Sequence, residues 1–284
     1  MRKQLAASPD KVWARPIFRW AGSKRGQVSR LRGLLPTKTF RYIEPFAGSA
    51  CLFFATRPDN AVLGDINADL MQAYEVLATH PRLLAAKVHA IPATKRQYYK
   101  ARRENPEKML PLDRAARFIY LNRYCFNGVY RTNRAGRFNV PRGSHTGRVP
   151  DEREFYRCSV ALRNAELRAG DFEQCLVDVR KGDFVYLDPP YTTARVPEEG
   201  QYGYQSLRSG DLTRVIRACK KIDEAGAHFV LSYHASAAVL AAFPTATTYA
   251  LMVRRNVAGY SRHRRTGREL VVTNVDPRTG ASPQ

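Results

Sequence analysis

Residues 41–65 set out a strand, a turn, a helix and a second strand. They open with Arg41-Tyr42-Ile43-Glu44-Pro45-Phe46, continue through Ala47-Gly48-Ser49-Ala50 to Arg57-Pro58, and end on Ala61-Val62-Leu63-Gly64-Asp65. The first run reads as a short strand ending in a turn. Residues 49–57 follow as a helix, closed by Pro58 because proline cannot continue the hydrogen-bond ladder. The second apolar run is another strand, and it ends on an acid. Asn67 can cap a helix to about His80 that places Leu70, Ala73, Tyr74 and Leu77 on one face. Strand and helix in alternation predict a parallel sheet with helices packed on it.

The alternation returns at Phe184-Val185-Tyr186-Leu187-Asp188, a strand of the buried type. Ser209 or Asp211 caps the next helix, which carries Leu212, Val215, Ile216, Cys219 and Ile222 on one face and stops at Gly226. Further strands are expected at 227–232, 247–253 and 269–274. The segment between the halves differs: residues 94–157 carry sixteen Lys and Arg against six Asp and Glu, interleaved with Tyr98, Tyr120, Tyr130 and Phe138. There a helix from Pro111 and Asp113 to about Phe126, ended by Gly128, leads into a hairpin with Asn133-Arg134-Ala135-Gly136 at its tip. The expected organisation is an α/β sheet domain in two pieces, residues 16–90 and 158–275. A mainly helical subdomain is inserted at 91–157, and 1–15 and 276–284 are loose tails.

At 284 residues, 44% hydrophobic and 25% charged, the composition is globular and excludes wholesale disorder. The 47 Lys and Arg against 25 Asp and Glu leave a net charge of +22, which calls for a polyanionic partner, nucleic acid before an anionic membrane. No window approaches about 20 consecutive apolar residues, so no membrane span is expected. The basic N-terminus has no apolar run and does not read as a signal peptide. Cys51, Cys125, Cys158, Cys175 and Cys219 form no C-x-x-C pair, which suggests neither a zinc cluster nor a disulfide framework. A reducing cytoplasm fits, and no metal site is expected.

The turn Glu44-Pro45-Phe46-Ala47-Gly48-Ser49-Ala50 sits where a first strand meets a helix, a place where a cofactor can lie against backbone that Gly48 leaves open. Asp65 ends the next strand, 17 residues beyond Gly48, where a ribose diol would be held. The full G-x-G-x-x-G phosphate cradle is missing, which argues against a dinucleotide; an ordinary tight turn would read the same. Asp188-Pro189-Pro190-Tyr191 is more specific. Two prolines set a rigid turn that displays a carboxylate, a carbonyl and an aromatic face together. An exocyclic amine on a base needs such a trio. Its lone pair is delocalised into the ring, so acceptors on its N–H groups must favour attack while stacking holds the ring. Near the N-terminus, Phe18-Arg19-Trp20-Ala21-Gly22-Ser23-Lys24 supplies a flat apolar wall in Trp20 and a cation for a carboxylate in Lys24.

Together FRWAGSK (18–24), EPFAGSACLFF (44–54), LGDIN (63–67), YLNRYCFNGVYR with GRFNVPRG (120–143) and VYLDPPY (185–191) resemble the Dam-type, D12 class DNA adenine-N6 methyltransferases, over about residues 16–275. The resemblance implies a Rossmann-like, S-adenosylmethionine-dependent methyltransferase sheet and makes 91–157 the target-recognition region. It implies methyl transfer from S-adenosylmethionine to adenine N6 in double-stranded DNA, with the base flipped out. Trp20, Lys24, Glu44, Phe46, Gly48, Asp65, Asp171, Phe172 and Asp188 would then meet the cofactor, Asp65 at its ribose and Asp171-Phe172 at its adenine. Asp188, Pro189, Pro190 and Tyr191 would engage the target adenine. Arg131, four residues after Asn127, would read a guanine beside it, with Val129 and Pro141 in the same region. Arg134 and Arg137, flanking the hairpin tip, suit phosphates. A GATC-like site is the first candidate.

Two positions depart from the family pattern: Ser23 and Ala50 stand where Dam-type motifs have glycine. Both replacements are small, and Ala50 is expected at a helix start where a methyl group is tolerated. Cytosine-C5 chemistry is excluded because no cysteine follows a proline. Before P-P-Y, cytosine-N4 enzymes tend to have Ser and protein-glutamine methyltransferases Asn, so Asp188 favours adenine. A non-catalytic DNA-binding protein with the same fold and an RNA adenine-N6 methyltransferase stay open as alternatives. The basic run Arg254, Arg255, Arg262, Arg264, Arg265 and Arg268 reads as phosphate contact. A cognate restriction endonuclease is a candidate partner, and the chain is expected to be a monomer in the cytoplasm.

Overall fold

The structure is a computed structural model, and it describes residues 14–37, 39–133, 135–144, 146–190, 211–254 and 266–275. In chain order the elements are α1 (Val28–Arg32), β1 (Tyr42–Glu44), α2 (Cys51–Thr56), β2 (Ala61–Asp65), α3 (Ala68–Thr79), α4 (Pro81–Ala90), α5 (Lys95–Arg103), α6 (Pro111–Tyr124), α7 (Glu152–Leu162), β3 (Ala165–Ala169), β4 (Phe184–Leu187), α8 (Asp211–Glu224), β5 (His228–His234), α9 (Ala237–Ala242), β6 (Thr247–Arg254) and β7 (Thr266–Thr273). The strands form a seven-stranded sheet in the order β3-β2-β1-β4-β5-β7-β6. β3 to β5 are mutually parallel, and β7 runs antiparallel between β5 and β6. The chain thus leaves β1 toward β2 on one side and returns to β4 on the other, opening a crevice at the carboxyl ends of these strands.

Alternation along the strands sorts the core onto two faces. Tyr42, Leu63, Phe184, Tyr186 and Val230 join one cluster with α2, α3, α4, α6 and α7. Ile43, Val62, Val185, Leu187 and Phe229 join the other with α8 and α9. The central strands are buried on both sides, as parallel strands between helical layers must be. Asn67 caps α3, accepting from the Leu70 amide at 3.0 Å, and Leu70, Ala73, Tyr74 and Leu77 are all buried. Gly226 ends α8 at φ 71°.

Several boundaries differ from the sequence reading. Ala14 is 4% exposed and the Arg15 amide bonds a Glu154 carboxylate oxygen at 2.9 Å, so the body of the protein begins before residue 16. The boundary expected at 157–158 falls inside α7. Helix α6 serves two cores: Ala115, Phe118 and Ile119 belong to the large cluster with α3 and α4, while Tyr120 and Leu121 pack with Tyr98, Ala101, Phe138 and Val140. The hairpin is present: Thr132 pairs with Phe138, and the Asn133 side chain accepts from the Ala135 and Arg137 amides. The edge strand β3 had not been expected. Ser209 and residues 255–265 of the basic run lie outside the described residues.

Candidate active site

The crevice at the carboxyl ends of β1, β2 and β4 holds a cavity of about 380 Å³. Trp20, Lys24, Glu44, Phe46, Asp65, Asp171, Phe172, Asp188, Pro189 and Pro190 all line it, so residues quoted from segments far apart in sequence converge on one space. Gly48 lies directly behind: at φ 47° it leaves room for the Trp20 ring, and a Cβ there would come within 2.6 Å of Trp20 Cδ1. Tyr191 lies outside the described residues.

Asp65 ties the first turn to the second strand. Its two carboxylate oxygens accept from the Gly48 and Asn67 amides, each at 2.9 Å. Burial pushes this carboxyl up to about 6 against those donors. Glu44 is more extreme: burial lifts it to about 8 although the Tyr42 hydroxyl donates to it at 2.7 Å. It is therefore a neutral acid at physiological pH. Phe46 stacks on Phe172 with centroids 5.0 Å apart, and the Arg214 guanidinium covers Phe172 at 4.9 Å while bonding Asp171 at 2.7 Å. These rings form one aromatic wall, pinned from behind by a cation.

Lys24, expected as a cation for a carboxylate, meets two protein carboxylates at the cavity wall. Its Nζ lies 2.7 Å from Asp188 Oδ1 and 2.8 Å from Glu269 Oε1. Burial raises the Asp188 carboxyl to about 6, with Lys24 pulling it down and Glu269 pushing it up. Sequence reasoning missed Glu269. Its only signal was an acid directly before the apolar run Leu270-Val271-Val272. It reaches the site because β7 is antiparallel, which brings its early residues beside the carboxyl end of β5, with Glu269 opposite His234.

Ala50 corrects a second expectation. It caps α2 at φ 48°, the left-handed region that favours glycine, so its methyl group meets a backbone cost and not merely a tolerant helix start. Ser23 sits at φ −48°, where any residue is at ease; its hydroxyl bonds Cys51 Sγ at 3.0 Å and accepts from the Ser49 hydroxyl at 3.1 Å.

The described recognition candidates lie between α6 and α7, and none of them lines the cavity. Asn127 and Gly128 both have positive φ, 53° and 68°, and the Phe126 amide bonds the Pro141 carbonyl at 2.9 Å. Asn127, Arg137 and Pro141 are exposed; Val129 and Arg131 are partly so, and Arg131 Nε donates to Asn139 Oδ1 at 2.9 Å. Arg134 lies outside the described residues. Thr132, Asn133 and Gly136 line the cavity itself, and Tyr130 joins hairpin to site. Its ring stacks on Trp20 at 6.1 Å and its hydroxyl donates to Asp69 at 2.7 Å. Among the described residues no group of His, Cys, Asp and Glu could hold a metal ion, and no helix is long and apolar enough to cross a membrane.

A doubly wound sheet with an antiparallel last strand, an acidic cavity at its switch point and an Asp-Pro-Pro turn on the rim define an enzyme of the Rossmann-like methyltransferase class. The chain belongs to the family of D12 class N6 adenine-specific DNA methyltransferases, whose profile matches residues 20–257. It is 30% identical over 275 residues to the type II methyltransferase M1.LlaDCHI of Lactococcus lactis subsp. cremoris, covering 93% of this chain and 97% of that one. It is 32% identical over 241 residues to the type II methyltransferase M.MjaIII of Methanocaldococcus jannaschii, covering 77% and 83%. With the DNA adenine methylase of Serratia marcescens the identity is 34% over 181 residues, 62% of this chain and 67% of the relative. The protein is a DNA adenine methyltransferase.

Proposed function

We propose that this enzyme takes the methyl group from S-adenosylmethionine and places it on N6 of an adenine flipped out of double-stranded DNA, at a site read by the hairpin. One observation carries the reading: the Asp188-Pro189-Pro190 turn opens onto the same cavity as Trp20, Phe46, Asp65 and Phe172. The donor set suits this cofactor. An aromatic wall fits its adenine, the Asp65 carboxylate fits a ribose diol, and carboxyl groups around the cavity fit a sulfonium cation. The cavity is large enough for a small-molecule ligand. When bound, S-adenosylmethionine supplies a methyl group already activated by the positive sulfur.

The chain's own part is orientation and charge. The Asp188 carboxylate and the carbonyls of the proline turn accept from the target amino group, which fixes the nitrogen lone pair toward the donor. As positive charge grows on that nitrogen, the fixed carboxylate offsets it without reorganisation. Pro189 is buried and holds this geometry rigid. Arg131 keeps one guanidinium edge on Asn139 and offers the other to the O6 and N7 of a guanine. The names of the Lactococcus and Methanocaldococcus relatives fit a role beside a restriction endonuclease.

Calorimetry tests the cofactor directly. Wild type is expected to bind S-adenosylmethionine, and Asp65→Ala to weaken it by roughly 1.5–3 kcal/mol, the worth of a hydrogen bond to a charged group. Wild type that binds none overturns the reading. For flipping, 2-aminopurine at the target position should brighten when the enzyme binds, and unchanged fluorescence would speak against extrusion.

A further inference from the structure

The Lys24 ammonium is shared. Asp188 on the proline turn and Glu269 on β7 hold it from either side, at 2.7 and 2.8 Å, and all three side chains are largely buried, at 7%, 18% and 5% exposure. Glu269 is itself held: its Oε2 accepts from Gln27 Nε2 at 2.9 Å, across 242 residues of sequence. The lysine and the glutamine come from the same short 3-10 turn, Lys24–Gln27, so Glu269 clamps that turn to the sheet at two points. A buried carboxylate is expensive to desolvate, and one that only neutralised a lysine would be redundant where Asp188 already does so.

We propose that Glu269 is a positioning residue for methyl transfer: it fixes the Lys24 ammonium against Asp188 and absorbs part of that cation's charge, so that the Asp188 carboxylate remains a strong acceptor for the target amino group. With Lys24 alone beside it, Asp188 would be a tightly neutralised ion and a weak acceptor. With Glu269 on the far side of the ammonium, two carboxylates share the one Lys24 cation, and the Asp188 carboxylate at the proline turn keeps more of its negative charge. Among the described residues, Glu44 and Tyr186 also face Asp188, and His234 of β5 lies opposite Glu269 in the sheet. Glu44 from β1 is neutral below about pH 8, and Tyr186 from β4 stays protonated, its hydroxyl 3.3 Å from Ser232 Oγ.

The inference rests on Asp188 receiving the target amine, and Asp188→Asn tests that reading separately: retained activity in that variant would overturn the reading itself. For Glu269, the readout is the acidic limb of kcat against pH, at saturating cofactor and DNA so that the Asp65 carboxyl does not contribute through binding. In wild type this limb is expected near pH 6. Glu269→Gln keeps the shape and removes the charge. It should move the limb down by roughly one pH unit, as loss of a neighbouring like charge does, and lower kcat several-fold at neutral pH with the KM for DNA unchanged. Glu269→Asp keeps the charge but retracts it. It should leave the limb in place while kcat falls, because Lys24 is then less well held. A limb that stays put in Glu269→Gln, with kcat reduced or not, overturns the proposal and leaves Glu269 a structural clamp. If Glu269→Gln does not fold, wild-type kcat in Glu269→Asp overturns it equally.

Discussion

Glu44 and Asp188 line one cavity as carboxyl groups of different acidity, and single residues like these set how the enzyme answers to pH. Glu44 is held protonated up to about pH 8 in the fold and ionises near 4.5 when unfolded. Between those values the folded state keeps a proton that the unfolded chain has lost. Its contribution is therefore full below about pH 4.5 and declines by about 1.4 kcal/mol per pH unit until the folded group also ionises. Glu44→Gln can still accept from Tyr42 but carries no such slope. Urea unfolding at several pH values from about 5 to 8 should show the variant gaining on wild type as pH rises; a constant difference would mean that Glu44 is ionised in the fold. Ala50 offers a second residue-scale test. A left-handed alanine costs roughly 1–2 kcal/mol, whereas glycine loses roughly 0.5–1 kcal/mol more chain entropy. Ala50→Gly is expected to leave the thermal midpoint unchanged or slightly raised, despite losing a buried methyl group. A drop of several degrees would show that the methyl contact outweighs the strain.

At the scale of elements, the β1–α2 turn is where backbone shape and site coincide. Gly48 has no room for a Cβ against Trp20, its amide donates to Asp65, and its carbonyl accepts from the Tyr74 hydroxyl at 2.8 Å. Gly48→Ala therefore meets both a steric clash and a positive φ. It should cost roughly 1–3 kcal/mol in stability and weaken cofactor binding with it, read by thermal melting and calorimetry. Normal cofactor affinity in the variant would separate the turn from the binding site. Most of the sheet was legible because β1, β2 and β4 are apolar runs that end on or just before an acid, and α3 and α8 carry clean apolar faces with stop signals. What was illegible has physical reasons. The edge strand Ala165–Ala169 alternates with charges and is half exposed, so its sequence looks like a loop. Ala50 looks harmless because a positive φ leaves no trace in the residue name. Glu269 and Lys24 are 245 positions apart, and only the antiparallel insertion of β7 brings them together. Tyr130 was visible as one aromatic among many; its stacking on Trp20 is a tertiary fact.

The whole molecule combines a net charge of +22 with an acidic cavity. On the proposed function, the long-range field draws in the DNA backbone while the local carboxyl groups are there for a cation and an amine. Sequence choice should then separate from affinity. Arg131→Ala is expected to relax preference at one guanine beside the target adenine, by about 1–3 kcal/mol, whereas Arg137→Ala at the exposed hairpin should weaken all sequences alike and flatten the salt dependence. Methylation of a randomised-flank duplex library by each variant reads both effects, and an unchanged site preference in Arg131→Ala would reduce the hairpin to a backbone clamp. The proposed reaction turns on Asp188 directing methyl transfer to adenine N6. The direct measurement is mass spectrometry of nucleosides from unmethylated duplex DNA, incubated with S-adenosylmethionine and either wild type or Asp188→Ala. N6-methyladenine should form with wild type and be absent with Asp188→Ala, while the variant still melts cooperatively and binds DNA. N6-methyladenine at wild-type levels from Asp188→Ala, or a methylated cytosine as the wild-type product, would contradict it.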